Sequence, residues 1–141
     1  VALMNLEVPI LGFCLGHEII AVAHGGQIGK LKISQGKHVA VTITQPEDPI
    51  FRAVTSNPVM LRKKHHHQVI SIPDHFLCLG YSAVCPLEII RHKERPLYGF
   101  QSHPEVLGFD GLQIMRDFFR ICGLIPAEPP RTGDSTSRAA S

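Results

Sequence analysis

A chain of 141 residues, 44% of them hydrophobic and 18% charged, is long enough for one domain with a buried core and no more. The formal charge of +2 comes from basic residues scattered along the chain, which leaves no footprint for nucleic acid, and no signal peptide or membrane-length apolar run is present. Four cysteines, at 14, 78, 85 and 122, show no Cys-x-x-Cys spacing and no disulfide pattern, so the expected compartment is a reducing cytoplasm.

Val1 to Val8 reads as the end of a preceding helix or loop. The chain then enters Pro9-Ile10-Leu11-Gly12-Phe13-Cys14-Leu15-Gly16-His17-Glu18, a short apolar run, a cysteine between two glycines, and the apolar period of a helix. A strand that turns sharply into a helix lifts the residue at the turn above a sheet, which is the geometry of a nucleophile elbow. The nucleophile would be Cys14. Gly12 and Gly16 suit the turn if a Cβ at either would clash with nearby backbone, and the helix N-terminus is expected to favour thiolate over thiol. Glu18 to Ala23 continues as a helix buried on more than one face, ended by Gly25-Gly26.

Gln27 to Lys32 predicts a short strand or loop, and the alternating, β-branched run Lys37 to Thr44 a clear strand. Gln45 to Pro49 breaks it, with one helical turn over Ile50 to Ala53. Pro58 to Arg62 is a strand leading into Lys63-Lys64-His65-His66-His67-Gln68. Three consecutive histidines cannot all face one ion, and no Cys, Asp or Glu stands beside them at ligand spacing, so no metal site is assigned. Phe76 to Ala83 and Pro86 to His92 predict two further strands joined through Val84-Cys85. Cys78 and Cys85, in apolar surroundings, read as small core residues.

Leu97 to Gln101 predicts a late strand running into Ser102-His103-Pro104-Glu105. In the last helix Asp110 is positioned to cap, Gln113 completes a capping-box spacing, and Met115, Phe118, Phe119 and Cys122 form one apolar stripe. Gly123 and Pro126 stop it. Beyond Ala127 no residue is core-forming, and the tail is expected to be disordered.

A thiol nucleophile needs a base, and the base needs a group that fixes its tautomer. His103 and Glu105 suit those two roles. With an elbow cysteine upstream and His-Pro-Glu after a late strand, the chain resembles the class I glutamine amidotransferases from about Pro9 to about Cys122. Within that family Cys14-Leu-Gly-His, Gly25-Gly26, Gly36-Lys37, Pro73-Asp74 and Tyr98-Gly-Phe-Gln-Ser-His-Pro-Glu are most similar to the glutaminase subunits that serve guanosine monophosphate synthesis.

The resemblance implies an open, mostly parallel sheet flanked by helices with an added antiparallel portion, incomplete at its N-terminus. It implies a domain over 1–125 followed by the tail 126–141. Cys14, His103 and Glu105 would be the triad that hydrolyses the side-chain amide of glutamine through a thioester, without a cofactor. Leu15, Glu18 and His65 would line the substrate site, Leu15 offering its N–H to the oxyanion. The ammonia would pass to a partner, a synthetase domain or subunit. Glu18 departs from the pattern, since relatives carry glutamine there. That keeps a γ-glutamyl hydrolase or peptidase of the same fold as one alternative, and a catalytically silent scaffold domain as another. A chain that starts at the elbow strand, with a bare sheet edge and without the family's glycine-rich oxyanion loop, is expected to be poorly soluble and nearly inactive.

Overall fold

The computed structural model describes residues 6–31, 38–106 and 108–126. The elements in chain order are β1 (Ile10–Phe13), α1 (Leu15–Ala23), β2 (Gln27–Lys30), β3 (His38–Ile43), a 3-10 turn (Pro49–Phe51), β4 (Val59–Arg62), β5 (His67–Ser71), β6 (Phe76–Tyr81), β7 (Ile89–His92), β8 (Leu97–Phe100) and α2 (Phe109–Ile121). Six strands form one sheet in the order β1-β8-β7-β6-β3-β4, while β2 and β5 pair antiparallel as a separate ribbon.

The sheet has the expected class, a mixed sheet with flanking helices, but its proportions differ from the expectation. Among the described strands only β1 and β8 pair in parallel, and the other four pairings in the sheet are antiparallel. The reason lies in the connections. From β6 to β8 the strands are joined by the short connections 82–88 and 93–96, neither long enough to hold a crossover helix, and such a short return makes the joined strands run opposite ways. β1 stands at one end of the sheet with β8 as its partner.

β8 lies between β1 and β7 and is buried along its whole length, which is why Leu97-Tyr-Gly-Phe reads as a nearly continuous apolar run. Its residues feed two cores. Tyr98 and Phe100 join Val41, Leu61, Leu79, Ile89 and Ile114 on the face covered by α2 and the 3-10 turn. Leu97 joins Ile20, Ala21, Val69, Phe76 and Ile90 on the face covered by α1 and the β2–β5 ribbon. The successive residues Ile89 and Ile90 supply one side chain to each core, the alternation a pleated strand imposes.

Several local expectations are corrected. α1 is buried on one face only. Ile19 and Val22 are exposed, and with Leu15, Glu18 and Ile28 they line a shallow apolar groove of about 300 Å³. Asp110 does not cap α2, whose N-cap is Gly108. Its carboxylate instead accepts from Ser56 Oγ at 2.8 Å and from the Met60 N–H at 2.9 Å, tying the helix start to the approach of β4. The inward stripe of α2 is Ile114, Phe118 and Ile121 with buried Asp117, while Phe119 is exposed. Asp117 faces inward because its carboxylate accepts from the Ala53 N–H and from Arg120. The strand β5 begins at His67, where the histidine triplet masks a β pattern. Gly25, with φ +95°, and Gly123, with φ +71°, follow the two helices as expected of glycines past a helix end. Residues 1–5, 32–37 and the tail from 127 lie outside the described residues, and so does the expected disorder of that tail.

Candidate active site

The parallel ladder between β1 and β8 runs in register from Ile10 opposite Leu97 to Phe13 opposite Phe100, and the Cys14 N–H extends it by donating to the Phe100 carbonyl at 2.8 Å. Both strands therefore leave the sheet at the same end. β1 delivers Cys14, and β8 delivers Gln101, Ser102 and His103.

Cys14 is the N-cap of α1 and adopts φ 49°, ψ −104°; it has the one positive φ of a non-glycine residue among those described. Such a conformation costs on the order of 1–3 kcal/mol and persists where the surroundings impose it. Gly12 is part of what imposes it. A Cβ there would lie 2.7 Å from both the Gly16 carbonyl carbon and Ile20 Cδ1, so the turn closes only over glycine. Gly16 differs from expectation, since a Cβ built on it meets nothing within 4 Å. The backbone of Gly16, not its missing side chain, makes the close approach.

The Cys14 thiol donates to the Lys64 carbonyl at 3.8 Å. Its pKa is raised, first by burial and next by the negative charge of Glu18, with Glu105 adding a smaller push. The Leu15 N–H at the start of α1 does favour the thiolate, as expected of a helix N-terminus, but those three effects outweigh it. The raised pKa favours the thiol, so Cys14 acting as a nucleophile would need a base.

His103 is fixed at both its backbone and its ring. Its N–H donates to the Arg62 carbonyl at 2.8 Å, in an isolated antiparallel bridge, and its Nδ1 pairs with Glu105 Oε1 at 2.7 Å. A carboxylate on Nδ1 fixes the neutral ring with its proton there and leaves Nε2 as the acceptor. Pro104 between the two holds the loop short enough for a residue two positions on to reach back.

Glu18, one turn after Cys14, is 8% exposed, and its Oε1 accepts from Gln101 Nε2 at 3.1 Å. Leu15 is largely exposed beside the sulfur. His65 is half-buried, its Nδ1 bonded to the His67 carbonyl and its Nε2 buried without a protein partner among the described residues. Burial, and then the nearby Lys63 and His103, bring its pKa down to about 4, while Glu18 acts in the opposite sense. It is a neutral ring whose Nε2 offers a lone pair. His66 and His67 are exposed.

The geometry thus brings Glu18 and Glu105 each within electrostatic reach of Cys14, and His65 within reach of Glu18 and His103. Beside His103 a second hollow of about 280 Å³ is lined by His38, Met60, Arg62, Val106 and Asp110 among others. Sequence reasoning gave no role to four contributors. Gln101 joins Glu18 to the Val69 N–H, His17 is wholly buried with Nε2 on the Leu87 carbonyl at 2.9 Å, and the Arg62 and Lys64 carbonyls touch the base and the nucleophile. Gln101 and His17 stand inside the two motifs, so a signal for them existed. The carbonyls left none.

A strained elbow cysteine and a carboxylate-held histidine at the ends of adjacent parallel strands define a class. The family described as Glutamine amidotransferase class-I matches residues 2–122, and the chain belongs to it. Among curated proteins it is similar to a subunit of the glutamine-hydrolyzing GMP synthase of Methanococcus aeolicus, at 38% identity over 86% of this chain and 64% of that protein. The corresponding subunit of Pyrococcus abyssi is 40% identical over 84% of this chain and 63% of that protein. The chain thus spans just under two-thirds of the length of these relatives. Among solved structures, a Thermoplasma acidophilum protein described as a GMP synthase subunit superposes with TM-score 0.79 at 32% identity, over 86% of this chain and 61% of that one. A glutamine amidotransferase of Thermotoga maritima, 19% identical, superposes with TM-score 0.64 over 82% of this chain and 46% of that one, a likeness of fold.

Proposed function

We propose that this chain is a glutaminase domain that hydrolyses the side-chain amide of glutamine and supplies ammonia to a synthetase partner in the formation of GMP. The observation that carries the reading is the His103–Glu105 pair at the end of β8, beside the strand that ends in Cys14. The relatives named as GMP synthase subunits support the acceptor pathway and the synthetase as partner. Among the described residues no helix is long and apolar enough to cross a membrane.

His103 Nε2 takes the thiol proton, and the sulfur attacks the amide carbon of glutamine. The Leu15 N–H, already directed at the sulfur, is placed to donate to the oxyanion that forms next to it. Collapse of the tetrahedral species breaks the carbon–nitrogen bond, and the proton on His103 goes to the departing ammonia. Water, deprotonated by the same ring, then cleaves the thioester and releases glutamate. Glu105 holds the imidazole in one tautomer and stabilises its charged form. Glu18 and the Nε2 of His65 are two hydrogen-bond acceptors suited to the substrate's ammonium group.

The test is a glutamate-release assay with glutamine, alone and with the synthetase component of a GMP synthase, combined with alkylation by a glutamine-analogue electrophile. Glutamine-dependent transfer of ammonia with label confined to Cys14 is the expected result. Label spread over several cysteines would overturn the assignment.

A further inference from the structure

Lys63 and Glu88 are 4% and 0% exposed and form an ion pair, Nζ to Oε1, whose oxygen also accepts from Ser82 Oγ at 2.6 Å. A buried pair of this kind adds little net stability, because desolvating two charges offsets their attraction, and apolar residues of similar volume serve stability as well. What the pair does fix is position.

Lys63 is the middle of three residues whose outer two touch the two halves of the site. The Arg62 carbonyl accepts from the His103 N–H at 2.8 Å, and the Lys64 carbonyl accepts from the Cys14 thiol at 3.8 Å. Glu88 holds the other side. Its carbonyl accepts from the Gln101 N–H at 2.7 Å, two residues before His103, and its own N–H donates to the Gly80 carbonyl at 3.0 Å.

We propose that Lys63 and Glu88 are a positioning pair: they clamp the segment 62–64 to the residue just before β7, so that one buried contact sets the carbonyl facing Cys14 and the carbonyl holding His103 together. Only the reaction that the clamp serves rests on the glutaminase reading; the geometric part concerns Cys14 itself.

Without the pair the segment 62–64 loses the contact that fixes it, and where one charge is left buried alone the segment also opens to hydrate it. More water then reaches Cys14, whose partly buried thiol faces the charges of Glu18 and Glu105. In Glu88→Gln and Lys63→Met the pH midpoint for Cys14 alkylation should fall toward that of a free thiol, at roughly 8.5, while glutamate release slows. A thiol that ionises more readily in a slower enzyme is the signature of lost alignment.

The experiment follows iodoacetamide alkylation of each cysteine by peptide mapping from pH 6 to 10, on the whole chain, beside glutamate-release kinetics. The expected result is a lowered Cys14 midpoint, unchanged Cys78 and Cys122 profiles, and a kcat reduced about tenfold with KM within about threefold of the parent. If the single variants unfold, all four cysteines react together, and the double variant Lys63→Met/Glu88→Leu decides. It buries no charge, so it should melt near the parent temperature while keeping the lowered Cys14 midpoint. A folded double variant with the parent's Cys14 profile overturns the proposal, as do folded single variants with that profile. A parent chain whose Cys14 is not labelled by the glutamine-analogue electrophile defeats the glutaminase reading and leaves the iodoacetamide profile of Cys14 to judge the clamp.

Discussion

The side-chain amide of Gln101 donates to Glu18 at 3.1 Å while its own oxygen accepts from the Val69 N–H at 3.3 Å. The residue two before the base therefore holds the carboxylate one helical turn after the nucleophile. Glutamine at position 18 would preserve this link, since its side-chain oxygen can accept the same bond. It would remove a negative charge that raises the Cys14 pKa. Glu18→Gln should accordingly lower the pH midpoint for Cys14 alkylation and leave kcat for glutamine within about tenfold of the parent, or improve it. A loss of three decades in kcat at unchanged KM would mean that Glu18 takes part in the chemistry.

Cys14 combines strain with its proposed role as nucleophile, and the two separate by substitution. Cys14→Ala removes the nucleophile and keeps the strained φ of 49°. Cys14→Gly removes both. Neither variant should release glutamate, but the glycine variant should melt higher than the alanine one, by a stability difference of about 1 kcal/mol. Cys85→Ala, at a position 1% exposed, should retain activity and cost about 1 kcal/mol for the space it leaves. Thermal melts beside the glutamate assay check all three.

The two glycines around the nucleophile are not equivalent. Gly12→Ala sets a Cβ 2.7 Å from the Gly16 backbone, which cannot yield without moving the helix, and should destabilise by about 3 kcal/mol. Gly16→Ala points into open space within a helix and should be neutral or stabilising by up to about 1 kcal/mol. Equal losses from both changes, read from urea unfolding, would contradict the close approach described for Gly12 alone.

His17 gives the fold a pH dependence. Burial brings its pKa from 6.5 down to about 4, the Leu87 carbonyl opposing that shift only in part. Above pH 6.5 the ring is neutral folded or unfolded, so stability is at its full value. Between 6.5 and 4 the unfolded chain takes up a proton that the folded chain refuses, and stability falls with pH by about 3 kcal/mol in total. His65, lowered in the same direction, adds to the slope. Urea midpoints measured from pH 7.5 to 4 should drop, and His17→Gln should flatten much of the fall.

What the sequence disclosed follows the range over which each interaction acts. The elbow and the His103-Pro104-Glu105 pair are local in the chain, and residue type and spacing within ten positions display them. The class of fold and both helices were legible for the same reason. Asp110 shows the limit: its spacing to Gln113 satisfies a capping box, yet its carboxylate bonds Ser56 and Met60, some fifty positions away. Lys63 and Glu88 are likewise distant in sequence and join only through the sheet. Gly16 misled because a glycine needed for its backbone looks the same as one needed for its lack of a Cβ. The outward face of α1 misled because apolar residues at helical spacing do not say which of them are covered.

The in-register parallel pairing of β1 with β8 sets the spacing between Cys14 and His103 without help from most of the chain between them, the segment 62–64 that touches both being the exception. Residues inserted or lost in turns away from that segment leave Phe13 opposite Phe100, and with it the relation of Cys14 to His103. One residue lost inside either four-residue strand instead moves its end by about 3.3 Å and turns every later side chain to the opposite face. Length variation is thus tolerated over much of the domain and forbidden in β1, β8 and the segment 62–64, which makes turns such as Lys93-Glu94-Arg95 sound places to graft a tag or a reporter loop, and those three stretches unsound ones.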